Sequence, residues 1–255
     1  MRFASLGSGS EGNGLVVEAG DTRVLIDCGF RLRDTAARLW RLGLAPESIN
    51  AILVTHEHAD HVGGVAAFAR RYRIPVWLTF GTLDMLGEAF LRVPSICGFD
   101  SHDSFAIGMI EVRPFPVPHD AREPVQFVVG DGAHRLGVLT DIGTTTRHVE
   151  ASLSGCDALV LECNHDLEML EGGDYPWPLK QRIASRLGHL HNEAAAGLLA
   201  ALDTSRLRHI VAAHLSQQNN TPDKARTALA KALGCTADWI GIADQQTGFG
   251  WRDLE

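Results

Sequence analysis

Residues 55–61 read Thr-His-Glu-His-Ala-Asp-His and run into Val62-Gly63-Gly64. The segment sets three imidazoles and a carboxylate within six residues, and these are ligand types that borderline divalent metals accept. So short a stretch cannot aim all four groups at one ion, so the cluster points to two metals. The apolar Ala51-Ile52-Leu53-Val54 before it reads as a buried strand. Val62 to Phe68 after it reads as a helix start, with the two glycines permitting close packing. The cluster therefore sits on a strand-to-helix loop, where a rigid scaffold can present it.

Three more residues of metal-binding type stand just past apolar, strand-like runs. His119 follows Pro116-Val117-Pro118, Asp141 follows Gly137 to Thr140, and His214 follows His209 to Ala213. With His56, His58, Asp60 and His61 they make seven, about what two metals sharing one carboxylate bridge need, with room for a bridging hydroxide. Two cations on one water lower its pKa toward neutrality and clamp the substrate oxygens on which charge builds. Asp60 is placed to orient that hydroxide or accept its proton. Alone, His119 or His214 reads as a capping or solvated residue; the dense first cluster raises both to candidate ligands.

The chain has 255 residues, 45% of them hydrophobic and 21% charged, the balance of an ordinary globular protein. The net charge of −8 argues against a broadly basic nucleic-acid-binding face. It leaves nucleic acid open, because bound divalent cations make a site locally positive. The N-terminus does not read as a signal peptide, and no run approaches the ~18 apolar residues of a membrane-spanning helix. Cys28, Cys97, Cys156, Cys163 and Cys235 are scattered and odd in number. This points away from a disulfide framework and toward a cytoplasmic protein with buried, inert thiols.

The elements that must position these residues follow from the apolar pattern. Strands are expected at Arg2–Leu6, Leu15–Glu18, Arg23–Ile26, Ala51–Val54 and Pro75–Leu78, with helices at Asp34–Leu42, Val65–Arg71 and Thr82–Leu91. From about residue 105 the order repeats, with strands at Phe105–Ile107, Ile110–Pro114, Val125–Val129, Arg135–Leu139, Ala158–Glu162 and His209–Ala213. Helices are expected at Pro178–Leu187, Asn192–Leu202 and Pro222–Leu233, the last with Thr221 as its cap. The expectation is an α/β chain forming a single domain over residues 1–255. Two similar αβ halves pack sheet to sheet with helices outside.

Thr-His-x-His-x-Asp-His-x-Gly-Gly after an apolar strand resembles the signature of the metallo-β-lactamase fold superfamily, and the resemblance spans essentially the whole chain. It implies an αββα four-layer sandwich with the site at one edge. It also implies His56, His58 and His119 on one metal, Asp60, His61 and His214 on the other, and Asp141 between them. Leu6 to Asn13, Pro118 to Ala121, Glu162 to Asp166, Tyr175 to Lys180, Gly188 to Asn192 and Ala213 to Ser216 are similar to the YycJ/WalJ group. Cys163 and His191 depart from that group's pattern, which has serine at both. The resemblance implies a metal-dependent phosphodiesterase, a DNA exonuclease.

A phosphodiester leaving group needs a proton, and Glu162, His165 and His189 are the candidates to supply it. Ser8, Ser10 and Asn13, in a glycine-rich loop, are candidate donors to phosphate oxygens. Loop capping, helix-end packing and a plain hairpin turn are the competing readings of these residues. His102, His134, His148 and His209 read as surface or structural. Arg31, Arg33, Arg70, Arg71, Arg73, Lys180 and Arg182 are the cations available to hold nucleic acid, though scattered cations are usually solvated.

The same ligand set can attack a carbonyl, so hydrolysis of a thioester, lactone or lactam is the alternative. Against it, His119 lacks the Gly-His-Thr-x-Gly-His context of glyoxalase II. A redox diiron centre ranks below both, since no dinucleotide fingerprint for a flavin partner is visible. Zinc suits the His-rich site best, and manganese or iron are compatible. Oligomeric state is not legible.

Overall fold

In the computed structural model, which describes residues 1–254, the chain forms fourteen strands β1–β14 and nine α-helices α1–α9 among the described residues. The first sheet is built from β1 (Arg2–Gly7), β2 (Gly14–Ala19), β3 (Thr22–Ile26), β4 (Ala51–Leu53), β5 (Val76–Thr79) and β6 (Ile96–Phe99). The second takes β7 (Phe105–Ile107), β8 (Ile110–Pro116), β9 (Val125–Gly130), β10 (Arg135–Leu139), β11 (Ala158–Glu162), β12 (His209–Ala213) and β13 (Gly241–Ile242). The last strand, β14 (Phe249–Asp253), returns to the first sheet beside β1. Each sheet has seven strands, in the orders β14-β1-β2-β3-β4-β5-β6 and β13-β12-β11-β10-β9-β8-β7.

Both sheets begin as antiparallel hairpins and become parallel: β3 to β6 run parallel in one, β10 to β13 in the other. Parallel pairs need crossovers, and helices supply them. The helices are α1 (Leu32–Arg41), α2 (Ala59–Val62), α3 (Val65–Tyr72), α4 (Phe80–Leu86), α5 (Arg147–Leu153), α6 (Leu167–Gly172), α7 (Trp177–Ile183), α8 (Asn192–Ala201) and α9 (Pro222–Leu233).

The period of two along each strand divides the core into layers. Val24, Ile26 and Leu53 join Val138, Val160 and Val211 between the sheets. Their neighbours Leu25 and Ile52 point the other way, onto Leu39 of α1 and Phe68 of α3. In the second sheet Leu159 and Leu161 face outward onto Leu153 of α5, Leu198 of α8 and Leu229 of α9. Both faces of both sheets are thus covered, which is why the parallel strands read as continuous apolar runs rather than alternating ones. The layers are those of the αββα sandwich.

Several elements differ from the sequence pattern. The helix expected over 82–91 stops at Leu86, because Gly87 takes a positive φ of 58°, and a 3-10 turn over Gly87–Arg92 follows. The helix expected over 178–187 ends at Ile183, where the chain folds back and the His189 N–H bonds to the Ile183 carbonyl at 2.9 Å. Only glycine fits at 188: a Cβ there would lie 2.2 Å from the Arg182 and Ile183 carbonyls. The strands β6, β13 and β14 and the short helices α5 and α6 have no counterpart in the expected pattern. Thr221 caps α9 as expected, its hydroxyl accepting the Lys224 N–H. Of the five cysteines, Cys28, Cys156 and Cys163 are buried, whereas Cys97 is half-buried and Cys235 exposed, correcting the expectation that all five are interior. Burial pushes the Cys28 thiol up to about 12. No helix among the described residues is long and apolar enough to cross a membrane.

Candidate metal centre

The candidate residues converge because the parallel strands of both sheets end at the same edge of the sandwich. Asp27 follows β3, Thr55 to His58 follow β4, and Asp60 and His61 lie in the first turn of α2. From the other sheet, His119 follows β8, Asp141 β10, Asn164 β11 and His214 β12. Three of the four non-glycine residues with positive φ among the described residues are here: Asp27 (60°), Asp141 (55°) and His214 (52°). Each lies just past a buried strand end, where local strain is held by the surrounding fold. The loop carrying the first cluster packs tightly on the chain after β3. The Gly64 N–H bonds to the Cys28 carbonyl at 2.8 Å, and a Cβ on Gly64 would meet the Phe30 carbonyl at 1.9 Å. The paired glycines are therefore required by close approach.

His56, His58 and His119 offer ring nitrogens within 4.8 Å of one another, and Asp60, His61, Asp141 and His214 form a second such group. The hydrogen bonds on the far side of the His119, His58, His61 and His56 rings fix their tautomers. His119 Nδ1 lies 3.0 Å from the Gly188 carbonyl and His58 Nε2 lies 3.2 Å from the Asp120 carbonyl. Carbonyl oxygens only accept, so those nitrogens carry the protons. The remaining nitrogens, His119 Nε2 and His58 Nδ1, then face each other bare at 3.3 Å.

Asp27 does the same for two more rings. Its Oδ2 accepts from the Thr55 hydroxyl at 2.9 Å and from His61 Nδ1 at 2.7 Å, and its Oδ1 accepts the Thr55 N–H at 2.9 Å. With its proton committed to Asp27, the Thr55 oxygen accepts from His56 Nδ1 at 3.0 Å. His56 Nε2 is left bare and buried, with no hydrogen-bond partner among the described residues. His61 Nε2 points at Asp141 Oδ2 (2.9 Å) and Asp60 Oδ2 (3.4 Å), yet Asp141 Oδ2 makes no hydrogen bond. The Asn13 amide, 3.1 Å from His61 Nε2, is shared with Asp60 Oδ2 at 3.2 Å.

Bare lone pairs facing one another and orphaned buried oxygens are costly unless a cation stands between them. The donor set fits divalent metal ions on that ground. Without metal, burial acts to lower the His61 pKa, but Asp141, Asp60 and Asp27 outweigh it and hold the imidazole well above its ordinary range. A proton there takes the place of a cation. Burial and the neighbouring His61 keep His56 well below its ordinary range, as befits a bare ligand nitrogen.

A third grouping of Asp141, Glu162, His189 and His214 has similar spacing. Its hydrogen bonds argue for a different use. Fully buried Glu162 spends Oε2 on the Ile142 (2.9 Å) and Leu190 (3.2 Å) N–H groups and Oε1 on His189 Nδ1 at 2.7 Å. Glu162 thus aims His189 rather than a metal. His189 stacks on His214, with ring centroids 5.3 Å apart, and lines the open cleft. Burial acts to lower its pKa, but Glu162 and Asp141 push it up to about 9.

The cleft has a volume of about 400 Å³. Asp60, Asp141, His58 and His214 form its floor; Ser10, Asn164 and Ser216 line it too, as do Tyr175, Leu179 and Arg182. Of the candidate phosphate donors only Ser10 reaches it. Ser8 and Asn13 are buried behind the floor: Ser8 Oγ accepts the His214 N–H at 3.0 Å and donates to Asn13 Oδ1 at 3.1 Å. They position the floor rather than face the cleft. His165 does not reach the cleft either; it is buried, with Nδ1 3.3 Å from Asn164 Oδ1 and burial depressing its pKa to about 4. Of the seven candidate cations, only Arg182 lines the cleft.

Sequence reasoning missed Asp27, Thr55 and Asp120. Asp27 carried a usable signal: like Asp141, it is a carboxylate directly after a buried strand, here Arg23–Ile26. Nothing in the pattern marked Asp120 apart from its place beside His119.

The β-lactamase superfamily domain model matches residues 22–214. Exodeoxyribonuclease YycJ of Bacillus anthracis is 37% identical over 91% of this chain and 89% of its own. The chain belongs to the metallo-β-lactamase fold superfamily, in its YycJ/WalJ-like subgroup. Exodeoxyribonuclease WalJ of Streptococcus pneumoniae is 32% identical, covering 95% of this chain and 91% of that one. Among solved structures, the metallo-β-lactamase fold protein YhfI of Bacillus subtilis superposes with a TM-score of 0.78 at 14% identity, covering 98% of both chains. Zn(2+)-bound PqqB of Methylobacterium extorquens superposes at 0.74 with 17% identity, covering 99% of this chain and 100% of that one. These likenesses place the superfamily's fold on the chain from end to end.

Proposed function

We propose that this protein is a dinuclear metal-dependent phosphodiesterase that degrades DNA from a strand end. The observation that carries the reading is the pair of His/Asp donor clusters side by side, spanned by the buried Asp141 carboxylate. Asp141 Oδ2 is 2.9 Å from His61 Nε2, and its Oδ1 is 3.5 Å from His214 Nε2 and 4.0 Å from His119 Nε2. His56, His58 and His119 would hold one ion and Asp60, His61 and His214 the other, with Asp141 between. Bound there, divalent cations would supply a water of near-neutral pKa and positive charge for the phosphoryl oxygens. Zinc suits the nitrogen-rich donor set best; manganese and iron are compatible. The substrate follows from the YycJ and WalJ relatives, which are exodeoxyribonucleases.

The chain's own residues divide the remaining work. Asp60 reaches the cleft floor and orients the attacking water or takes its proton. His189, with Nδ1–H fixed on Glu162 and its other nitrogen on the cleft side, delivers a proton to the leaving oxygen. Glu162 acts through His189 as a positioning residue. Ser10 and Ser216 supply neutral donors along the substrate path, and Asn164, its amide spent on His214, positions that ring. Both sheets furnish floor residues, so the two αβ halves, joined near residue 105, work as one catalytic domain in a cytoplasmic enzyme.

The test is an assay with zinc or manganese on single- and double-stranded DNA, RNA, a generic phosphodiester and a thioester, with Asp60→Ala beside the wild type. DNA hydrolysis that Asp60→Ala abolishes supports the reading. Thioester turnover without phosphodiester cleavage overturns it.

A further inference from the structure

One wall of the cleft is made by α7 and the turn before it. No residue of α7 is buried, and Leu179, Arg182 and Ile183 line the cleft together with Tyr175. Arg182 is the sole lysine or arginine among the described lining residues, in a cleft that also carries Asp60, Asp120 and Asp141. Its Nε donates to Asp120 Oδ2 at 2.7 Å. The other oxygen of Asp120 lies 3.4 Å from His119 Nε2, so a single carboxylate separates the guanidinium from the candidate ligands.

A guanidinium carries five N–H donors in a planar fork suited to phosphate. Here only Nε is engaged with a described residue, so the two terminal nitrogens keep their donors for something else. An exposed ion pair stabilises a fold little, and the Arg182 side chain is 61% exposed. A structural role therefore explains the pair poorly. Asp120 holds the fork in one orientation beside the site, which lowers the ordering cost of binding an anion. The apolar and aromatic neighbours Tyr175 and Leu179 give the flat face of a nucleobase something to rest on.

We propose that Arg182, held by Asp120, is a specificity-determining residue that binds a non-scissile phosphate of the DNA strand, one step from the bond being cut. The inference rests on the nuclease reading above. It separates strands, which have a second phosphate, from small esters, which have one.

The test compares wild type, Arg182→Gln, Arg182→Lys and Lys180→Gln with the same metal. Lys180→Gln removes an equal charge from the same helix, at a residue outside the cleft lining whose Nζ bonds to the Glu171 carbonyl. The substrates are a short single-stranded oligodeoxynucleotide and the p-nitrophenyl ester of thymidine 5′-monophosphate, which holds a single phosphorus. Arg182→Gln is expected to raise KM for the oligonucleotide roughly tenfold with kcat within about twofold, to flatten the salt dependence by about one phosphate contact, and to leave the ester unchanged. Arg182→Lys recovers part of the loss, and Lys180→Gln changes neither substrate. Equal losses on both substrates, a loss confined to kcat, or no loss at all would each overturn the assignment. A wild type that cleaves the ester but no oligonucleotide defeats the nuclease reading itself and this inference with it.

Discussion

Asp27 Oδ2 and His61 Nδ1 meet at 2.7 Å with both side chains buried, and this contact sets the tautomer from which the second candidate ligand group is built. The same carboxylate also fixes Thr55 and, through its hydroxyl, His56. One residue outside both ligand groups thus orients a nitrogen in each.

Replacing Asp27 by Asn keeps the shape and tolerates the positive φ, but leaves a weaker acceptor for His61. Metal affinity is expected to fall about 10- to 100-fold, the usual effect of removing such a support. Titration of metal-stripped protein with zinc, read by calorimetry, checks this. An unchanged affinity would show that Asp27 serves the backbone after β3 alone.

Glu162→Gln should retain the fold's two N–H contacts through its remaining carbonyl while losing the charge that aims His189 and keeps it protonated. A fall in kcat of about 10²- to 10⁴-fold on a substrate with a poor leaving group is expected, with far less on a p-nitrophenyl ester. Metal content measured in parallel should stay the same. A loss of bound metal in Glu162→Gln would instead make Glu162 part of the ligand set.

In metal-stripped protein the His189 pKa is pushed up to about 9, above the ~6.5 of an unfolded chain. A raised folded-state pKa stabilises the fold below the unfolded value, and that stabilisation is lost as pH rises from about 6.5 through 9. His189→Gln should therefore lower Tm at pH 6 and leave it nearly unchanged at pH 10. Thermal melts in chelator at both values measure it; an equal loss at both would point to packing rather than charge.

His165 and His189 both sit in turns of similar composition, yet only one reaches the cleft. His189→Ala should cost about 10² or more in kcat on DNA. His165→Ala should leave kcat within a few-fold and lower the unfolding midpoint, because the ring is buried. Steady-state kinetics with a denaturation curve on each variant distinguishes them.

The sequence exposed the site more readily than its surroundings. Strand ends were legible because parallel strands buried on both faces read as apolar runs, and metal-binding residue types stand out just after them. That rule led to His119, Asp141 and His214, which the fold brings beside the His56–His61 loop. Orientation was not legible: Ser8 and Asn13 look like loop residues open to solvent, but hydrogen bonds to His214 and Asp60 fold them behind the floor. Asp27 and Asp120 act through neighbours that only tertiary packing supplies. The same holds for α7, whose early end depends on Gly188 closing onto the Arg182 and Ile183 carbonyls.

The most direct test of the two-cation account follows DNA hydrolysis while zinc is returned stepwise to metal-stripped protein. Mononucleotide release is expected to stay near background through the first equivalent, to rise with the second, and to vanish again in chelator. Asp141→Asn should bind the metal more weakly and lose the activity. Full activity at one equivalent, or undiminished hydrolysis in chelator, would contradict the account.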